Sequence, residues 1–321
     1  MQVFYVNIGG GEPTVRADFW ELVDYATAHH VGVKFSTNGV RITPEVATRL
    51  AASDYVDVQI SLDGATAEVN DAVRGAGSYD TAVRAMTNLA EAGFRGFKLS
   101  VVVTRANVDQ LDAFAALADR YGAQLRLTRL RPSGRGADVW DELHPTAAQQ
   151  RQLYDWLVAA GENVLTGDSF FHLSAYGQAL PGLNLCGAGR VVCLIDPVGD
   201  VYACPFAIHD EFLAGNVRDT GGFTGVWRIS ELFAALREPQ SAGACASCGH
   251  FAPARAVAWR RSSSPVCRWT APTRSAWWAT ASTRCSPAET PPHRSRPSTT
   301  PARPAPARPR RRVAAAAARC R

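Results

Sequence analysis

VFYVNIGGGEP, residues 3–13, decides how this 321-residue chain is read: six largely apolar residues run straight into three glycines, a glutamate and a proline. A short continuous apolar run bounded by such a turn is a buried-strand signal. Past the turn, Phe19, Leu22, Val23 and Ala26 recur at i, i+3, i+4 and i+7, one apolar face of a helix. The unit is strand, glycine turn, helix.

The unit repeats along the chain. VKFSTNG (33–39) is a second strand, and Thr43-Pro44-Glu45 opens the next helix with a capping hydroxyl ahead of a proline in the first turn. VDVQISLDG (56–64), a helix over 78–93, KLSVVVT (98–104), a helix over 108–122, QLRLTRL (124–130) and an amphipathic helix over 146–160 follow. Strict alternation with short connections implies parallel strands joined by right-handed crossovers, hence an α/β fold built as an open or closed βα barrel. The chain begins inside a strand, so VFYVNI is expected to form a bare hydrophobic edge.

Ligands of parallel α/β folds sit at the carboxyl ends of the strands. Those ends read GGGEP (9–13), STNG (36–39), SLDG (61–64), VVT (102–104) and RLRPSG (129–134). Taken alone, each is what a strand-to-helix turn uses for conformational reasons. Five in succession on one rim suggest a polar ligand. Glu12 offers an acceptor for an ammonium, Ser61, Asn38 and Asp63 can bond hydroxyls, and Ser61 and Asn38 can also donate to a carboxylate. His29, His30 and His209 are read as solvated or satisfied side chains rather than ligands.

Five of the eight cysteines lie in one later stretch: CGAGRVVC holds Cys186 and Cys193, DVYAC ends in Cys204, and CASC holds Cys245 and Cys248. The N-terminus lacks the basic-then-apolar plan of a secretory signal and no apolar run approaches a membrane span, so a cytoplasmic protein is expected. Cysteines grouped in this way are then metal ligands before they are disulfides. Their number and spread favour iron-sulfur clusters over a four-cysteine zinc site, with buried structural thiols as a third reading.

Charge divides the chain sharply. From Ala254 onward there are 15 Arg and one acid, Glu289, so a net charge of +5 overall leaves −9 on residues 1–253. An acidic body excludes a general nucleic-acid-binding face there.

A glycine-rich GGGEP after one strand, STNG after the next, SLDG after the third with Arg74-Gly75 beyond it, and a cysteine-rich C-terminal region together resemble a radical S-adenosylmethionine (SAM) enzyme with a SPASM domain. The resemblance implies a partial (βα)6 barrel over 1–160 lacking its first βα unit, then a SPASM-type iron-sulfur domain over 161–253. By that likeness Gly10, Gly11, Glu12 and Pro13 bind the methionyl amino group of SAM. Ser36, Asn38, Ser61, Asp63 and Arg74 line its ribose and carboxylate, a guanidinium being able to donate two parallel bonds to the latter. The SPASM pattern of a cysteine, nine to fifteen residues, a glycine, four residues and a cysteine fits Cys186, Gly199 and Cys204. Cys193 falls where such proteins place a third ligand of their first auxiliary [4Fe-4S] cluster. Cys245 and Cys248 match the opening pair of C-x2-C-x5-C-x3-C, but the next two cysteines are replaced by Ala254 and Ala258.

The departure coincides with a change of composition. Residues 254–321 contain no Leu, Ile, Phe, Met, Gly, Lys, Asn, Gln, Asp or Tyr, a mixture that cannot pack a core and is expected to be disordered. It also has the composition of a GC-rich gene read out of frame. Shifted by one base, positions 254–276 can encode CPGGCMAAKFFTGLPMDGPDPEC, the pattern of the resembled family, with cysteines at 254, 258 and 276. Cys267, Cys285 and Cys320 lie in this tail and carry no assignment. With CGAGRVVCLIDPVGDVYACPFAIH upstream, the resemblance narrows to the mycofactocin radical SAM maturases. It implies a precursor peptide ending in Val-Tyr, a small peptide-recognition chaperone and an electron donor as partners, and no membrane or nucleic acid. The C-x3-C-x2-C signature of the SAM-cleaving cluster is not found in this chain, so little or no activity is expected of it as written. Alternatives are a SPASM maturase of the pyrroloquinoline-quinone or sulfatase type, or a non-catalytic zinc-binding α/β protein.

Overall fold

The computed structural model describes residues 2–132, 134–166, 170, 173, 176, 177 and 187–238. The described residues all fall within one compact unit, and the whole Arg-rich tail lies outside them.

Alternation of strand and helix is borne out in order: β1 (Tyr5–Ile8), α1 (Phe19–Ala28), β2 (Gly32–Thr37), α2 (Pro44–Ala51), β3 (Val56–Ser61), α3 (Ala67–Arg74), α4 (Ser78–Glu91), β4 (Lys98–Val103), α5 (Leu111–Tyr121) and β5 (Gln124–Arg129). Two single turns, α6 (Arg135–Asp138) and α7 (Trp140–Leu143), precede α8 (Ala147–Ala160) and β6 (Leu165–Thr166). All six strands run parallel, each beside its neighbour in sequence, in the order β1-β2-β3-β4-β5-β6. A doubly wound sheet would reverse its order part-way. An unreversed order is that of a barrel wall, here a curled half-barrel with β1 and β6 as its edges.

The strands alternate strongly. Val33, Phe35, Val58, Ile60, Leu99, Val101, Val103, Leu125 and Leu127 point to one face, all 9% exposed or less, and pack with Phe19, Leu50, Met86, Leu89 and Phe114 of the helices. At about 1.5–3 kcal/mol for each fully buried side chain, this layer between sheet and helices dominates the stability of the fold. The opposite face carries Lys34, Ser36, Asp57, Gln59, Ser61, Lys98, Ser100 and Arg126, so period-two patterning, not an apolar run, fixes β2 to β5.

Two expectations need correction. VFYVNI is not buried: Val3, Phe4, Tyr5 and Val6 are 41%, 73%, 59% and 40% exposed, because β1 has a neighbour on one side only. The edge position itself is as expected. The segment between SLDG and Ser78 also holds a helix, α3, capped by Thr66 accepting from the Val69 N–H and closed by Gly75 at φ 97°.

Beyond residue 187 a three-stranded antiparallel sheet, β7 (Leu194–Ile195), β8 (Asp200–Tyr202) and β9 (Leu213–Asn216), packs with α9 (Gly222–Ile229) and α10 (Glu231–Arg237). Val201, Ala203, Phe212, Phe233 and Leu236 form its own small core. No helix among the described residues is long and apolar enough to cross a membrane.

Candidate functional site

Hydrogen bonds tie the rim sequences together in two pairs, GGGEP with STNG and SLDG with the end of β4. Glu12, at the end of the glycine turn, accepts from the Thr14 N–H at 3.2 Å and hydroxyl at 2.6 Å. Its carboxylate also accepts from the Thr37 hydroxyl at 2.8 Å and from the Asn38 N–H at 2.7 Å, which ties the turn after β1 to the end of β2. Four donors on two oxygens fix the orientation of the group, and bonds to an ionised acceptor are among the stronger ones. Pro13, the next residue, is buried. A Cβ placed on Gly9, Gly10 or Gly11 would meet nothing within 4 Å, so the turn faces open space.

STNG is held as tightly. The Asn38 side chain accepts from the Val40 N–H at 2.8 Å, and the Thr37 hydroxyl accepts from the Gly39 N–H at 3.0 Å. Gly39 sits at φ 87°, where a Cβ would stand 2.7 Å from that of Ala85, so the turn needs glycine both for its backbone and for its packing. Ser36 points to the polar face and donates to Gln59 at 3.3 Å.

SLDG is built differently. The Asp63 side chain is 7% exposed, accepts from the Val102 N–H at 2.8 Å and pairs with Arg74 Nη2 at 2.8 Å. Burial pushes its carboxyl above the usual range, against the Arg74 charge and the Val102 hydrogen bond that favour the anion. Its backbone N–H donates to Asn70, and its carbonyl accepts from Asn107. Asp63 therefore staples the ends of β3 and β4 together, and Arg74 is anchored on it from α3. Ser61, half-buried, ends β3 on the polar face.

Sequence reasoning missed the supporting polar groups. Asn70, fully buried, and Asp71 cross-link the α3–α4 loop: Asp71 accepts from the Gly77 and Tyr79 N–H groups and the Ser78 hydroxyl, and so lies below the usual carboxylate range. Asn and Asp inside a helical pattern read as surface, and nothing local marks them as buried. His29 and His30 are satisfied as expected, bonding the Tyr25 carbonyl at 2.7 Å and the Tyr55 hydroxyl at 3.0 Å. His209 ends the turn before Asp210–Phe212.

Of the expected thiol ligands, Cys193 and Cys204 are described, while Cys186, Cys245 and Cys248 lie outside the described residues. Register pairs Leu194 with Tyr202, which puts Cys193 opposite Ala203, the residue before Cys204, at the open end of the β7–β8 hairpin. Gly199, at φ 90°, makes the turn at the other end, with its N–H on the Asp196 carbonyl. Burial pushes the Cys193 thiol up to about 11. Among the described residues no three or more His, Cys, Asp or Glu gather as a metal site.

Comparison with known proteins agrees with this layout. Residues 1–118 match the radical SAM superfamily, and residues 186–249 match SPASM, an iron-sulfur cluster-binding domain. Over 253 residues the chain is 83% identical to mycofactocin maturase MftC of Mycolicibacterium smegmatis, covering 78% of this chain and 64% of that one. It is 82% identical to the protein of the same name from Mycobacterium ulcerans, covering 78% and 69%. The chain thus spans about two thirds of the length of these relatives. The aligned length of 253 residues equals the stretch that precedes the composition change at Ala254. Among solved structures, Streptococcus suis SuiB bound to S-adenosylmethionine superposes with a TM-score of 0.61 at 19% identity, over 78% of this chain and 60% of that one. Native anSMEcpe with bound AdoMet gives 0.58 at 16%, over 85% and 81%. At such identities the likeness is one of fold.

Proposed function

Since this chain belongs to the mycofactocin maturase family, radical SAM proteins that carry a SPASM domain, we propose that its half-barrel binds SAM for the processing of a ribosomally made precursor peptide. The observation that carries this reading is Glu12, oriented by Thr14, Thr37 and Asn38 under an open glycine turn. A carboxylate fixed in that way suits an ammonium with three N–H groups. The methionyl end of SAM would lie over Gly9–Gly11, where an added Cβ meets nothing within 4 Å, with Gly10, Gly11 and Pro13 shaping the turn.

Ser36 and Asn38 would face the ribose side of the cofactor, and Ser61 the carboxylate side. Arg74, held by Asp63, would turn its remaining N–H groups to the carboxylate. Asp63 acts through that pairing and through its hold on β4. Bound beside a [4Fe-4S] cluster, SAM supplies one-electron cleavage of its sulfonium and removal of a hydrogen atom from the substrate. The reaction so served is oxidative decarboxylation of a C-terminal Tyr, followed by its joining to the adjacent Val. Cys186, Cys193 and Cys204 would serve one auxiliary cluster, Cys245 and Cys248 part of another. A peptide-recognition chaperone and an electron donor complete the system, and a cytoplasmic setting suits it.

The 321 residues as written are expected to turn over little or no peptide. Their first cysteine is Cys186, so residues 1–185 offer no thiolate to a cluster beside Glu12. Incubation with SAM, a low-potential reductant and a Val-Tyr precursor peptide, followed by mass spectrometry, tests both parts. Peptide binding without loss of carbon dioxide is the expected result. Decarboxylated peptide would overturn the inactivity, and preferential binding of a pyrroloquinoline-quinone precursor would move the chain to that type of maturase.

A further inference from the structure

Two arginines lock the loop that leads into Cys193 against the helices behind it. Arg190, within the loop, donates through Nε to the Leu236 carbonyl at 3.1 Å and through Nη2 to the Arg237 carbonyl at 2.7 Å. Both carbonyls belong to the last turn of α10, the negative end of its dipole, where a cation is favoured. Arg237 reaches back in the other direction. Its Nε donates to the Gly189 carbonyl at 2.9 Å and its Nη2 to the Trp227 carbonyl of α9 at 2.7 Å, while its guanidinium lies 4.8 Å from the centre of the Trp227 ring. Each arginine side chain thus bonds the backbone beside the other arginine.

The constraints meet at Gly189. Its N–H donates to the Ala203 carbonyl at 3.1 Å, immediately before Cys204, and a Cβ on it would stand 2.8 Å from Leu236 and 3.1 Å from Phe233. The Gly187 carbonyl accepts from the Arg190, Val191 and Val192 N–H groups, so the loop is a closed turn that runs directly into Cys193. Cys193 and Cys204, neither in a disulfide, stand on the two arms of the open end of the β7–β8 hairpin. Soft thiolate donors there suit iron or another thiophilic metal.

We propose that Arg190 and Arg237 form a reciprocal clasp that positions Cys193 and Cys204 for metal. The inference rests on the iron-sulfur reading of these cysteines and adds to it the residues that set their placement. A loop ordered before the metal arrives loses little conformational entropy when its thiolate is bound. The planar guanidinium fork can bridge two carbonyls at a fixed separation, which the point charge of a lysine does not reproduce.

The test is anaerobic titration of the full chain with cobalt(II), whose thiolate complexes absorb in the near ultraviolet, beside urea melts of the metal-free protein. Cys193→Ser identifies the part of the absorption that belongs to this site. Arg190→Gln and, independently, Arg237→Gln should each weaken that part of the binding about 10- to 100-fold, as loss of a partner behind a metal ligand does. Arg237→Lys, which keeps the charge without the fork, should recover only a small part of the loss. Val226→Ala serves as a control for stability alone, since it thins the same small core away from the clasp, and it should leave cobalt affinity within about twofold. Cobalt affinity unchanged in both arginine variants would overturn the inference, and so would an equal loss in Val226→Ala or full recovery in Arg237→Lys. Absence of any cobalt signal sensitive to Cys193→Ser in the unmodified chain would overturn the ligand reading itself, and the inference with it.

Discussion

Glu12 and Asp63 are both rim carboxylates, yet they differ in what they can do. The oxygens of Glu12, a half-buried residue beside an open glycine turn, are oriented by hydroxyl and N–H donors, whereas those of Asp63 are buried against Val102 and Arg74. Asp63→Ala should lower unfolding free energy by about 2–3 kcal/mol in urea melts, since it leaves the Val102 N–H and Arg74 without their acceptor. Glu12→Gln should cost only about 1 kcal/mol, because an amide oxygen still accepts. The sequence pointed to both residues but not to this difference. Burial decides it, and burial is set by α3 and β4, which lie elsewhere in the chain.

His144 gives the pH signature at the same scale. Burial, with Arg105 and Arg129 nearby, pushes its imidazole down to about 4 from 6.5. The unfolded chain takes up a proton in that window and the folded chain does not, so stability is full above about pH 6.5 and falls as pH drops toward 4. The ring is partly exposed, so the loss should be on the order of 1 kcal/mol. Denaturant melts at pH 7.5 and pH 5 would measure it, and His144→Gln should remove the difference.

Elements were legible where their periodicity was strong. Thr43 caps α2 as read, accepting from the Val46 N–H, and β2 to β5 fall within two or three residues of their expected ends. α3 was missed because its single buried side chain is Asn70 and it offers no apolar stripe to read. β6 was missed because two residues carry no pattern. The turn after β2 is the element whose integrity the site most depends on. Gly39→Ala would set a Cβ 2.7 Å from that of Ala85 at a φ of 87°, and should destabilise the fold by about 2–3 kcal/mol. A thermal melt that shows no change would mean that the turn does not hold Asn38 against Glu12 as described.

At the scale of the whole molecule, cysteine spacing identified the SPASM domain, because ligand spacing is a property of sequence. The barrel was legible as a class from its alternation, while the charge on its inner face became visible only once register set Lys34, Asp57, Lys98 and Arg126 side by side. Anaerobic reconstitution with iron and sulfide should load fewer than three clusters, as Cys186, Cys193, Cys204, Cys245 and Cys248 are the only cysteines before Ala254. Three full clusters would contradict the proposed ligand set. The reading-frame proposal is separate, and sequencing DNA across codons 248–258 settles it: a one-base slip is expected there, and an uninterrupted frame shared with the relatives' genes up to that point would require another origin for the tail.

The central claim is that the turn at Gly9–Pro13 is a SAM site organised by Glu12. Equilibrium dialysis with labelled SAM, comparing the unmodified chain with Glu12→Gln, tests it most directly. One SAM per chain, weakened about tenfold or more by the substitution, is the result predicted. Equal binding by the two proteins would contradict it.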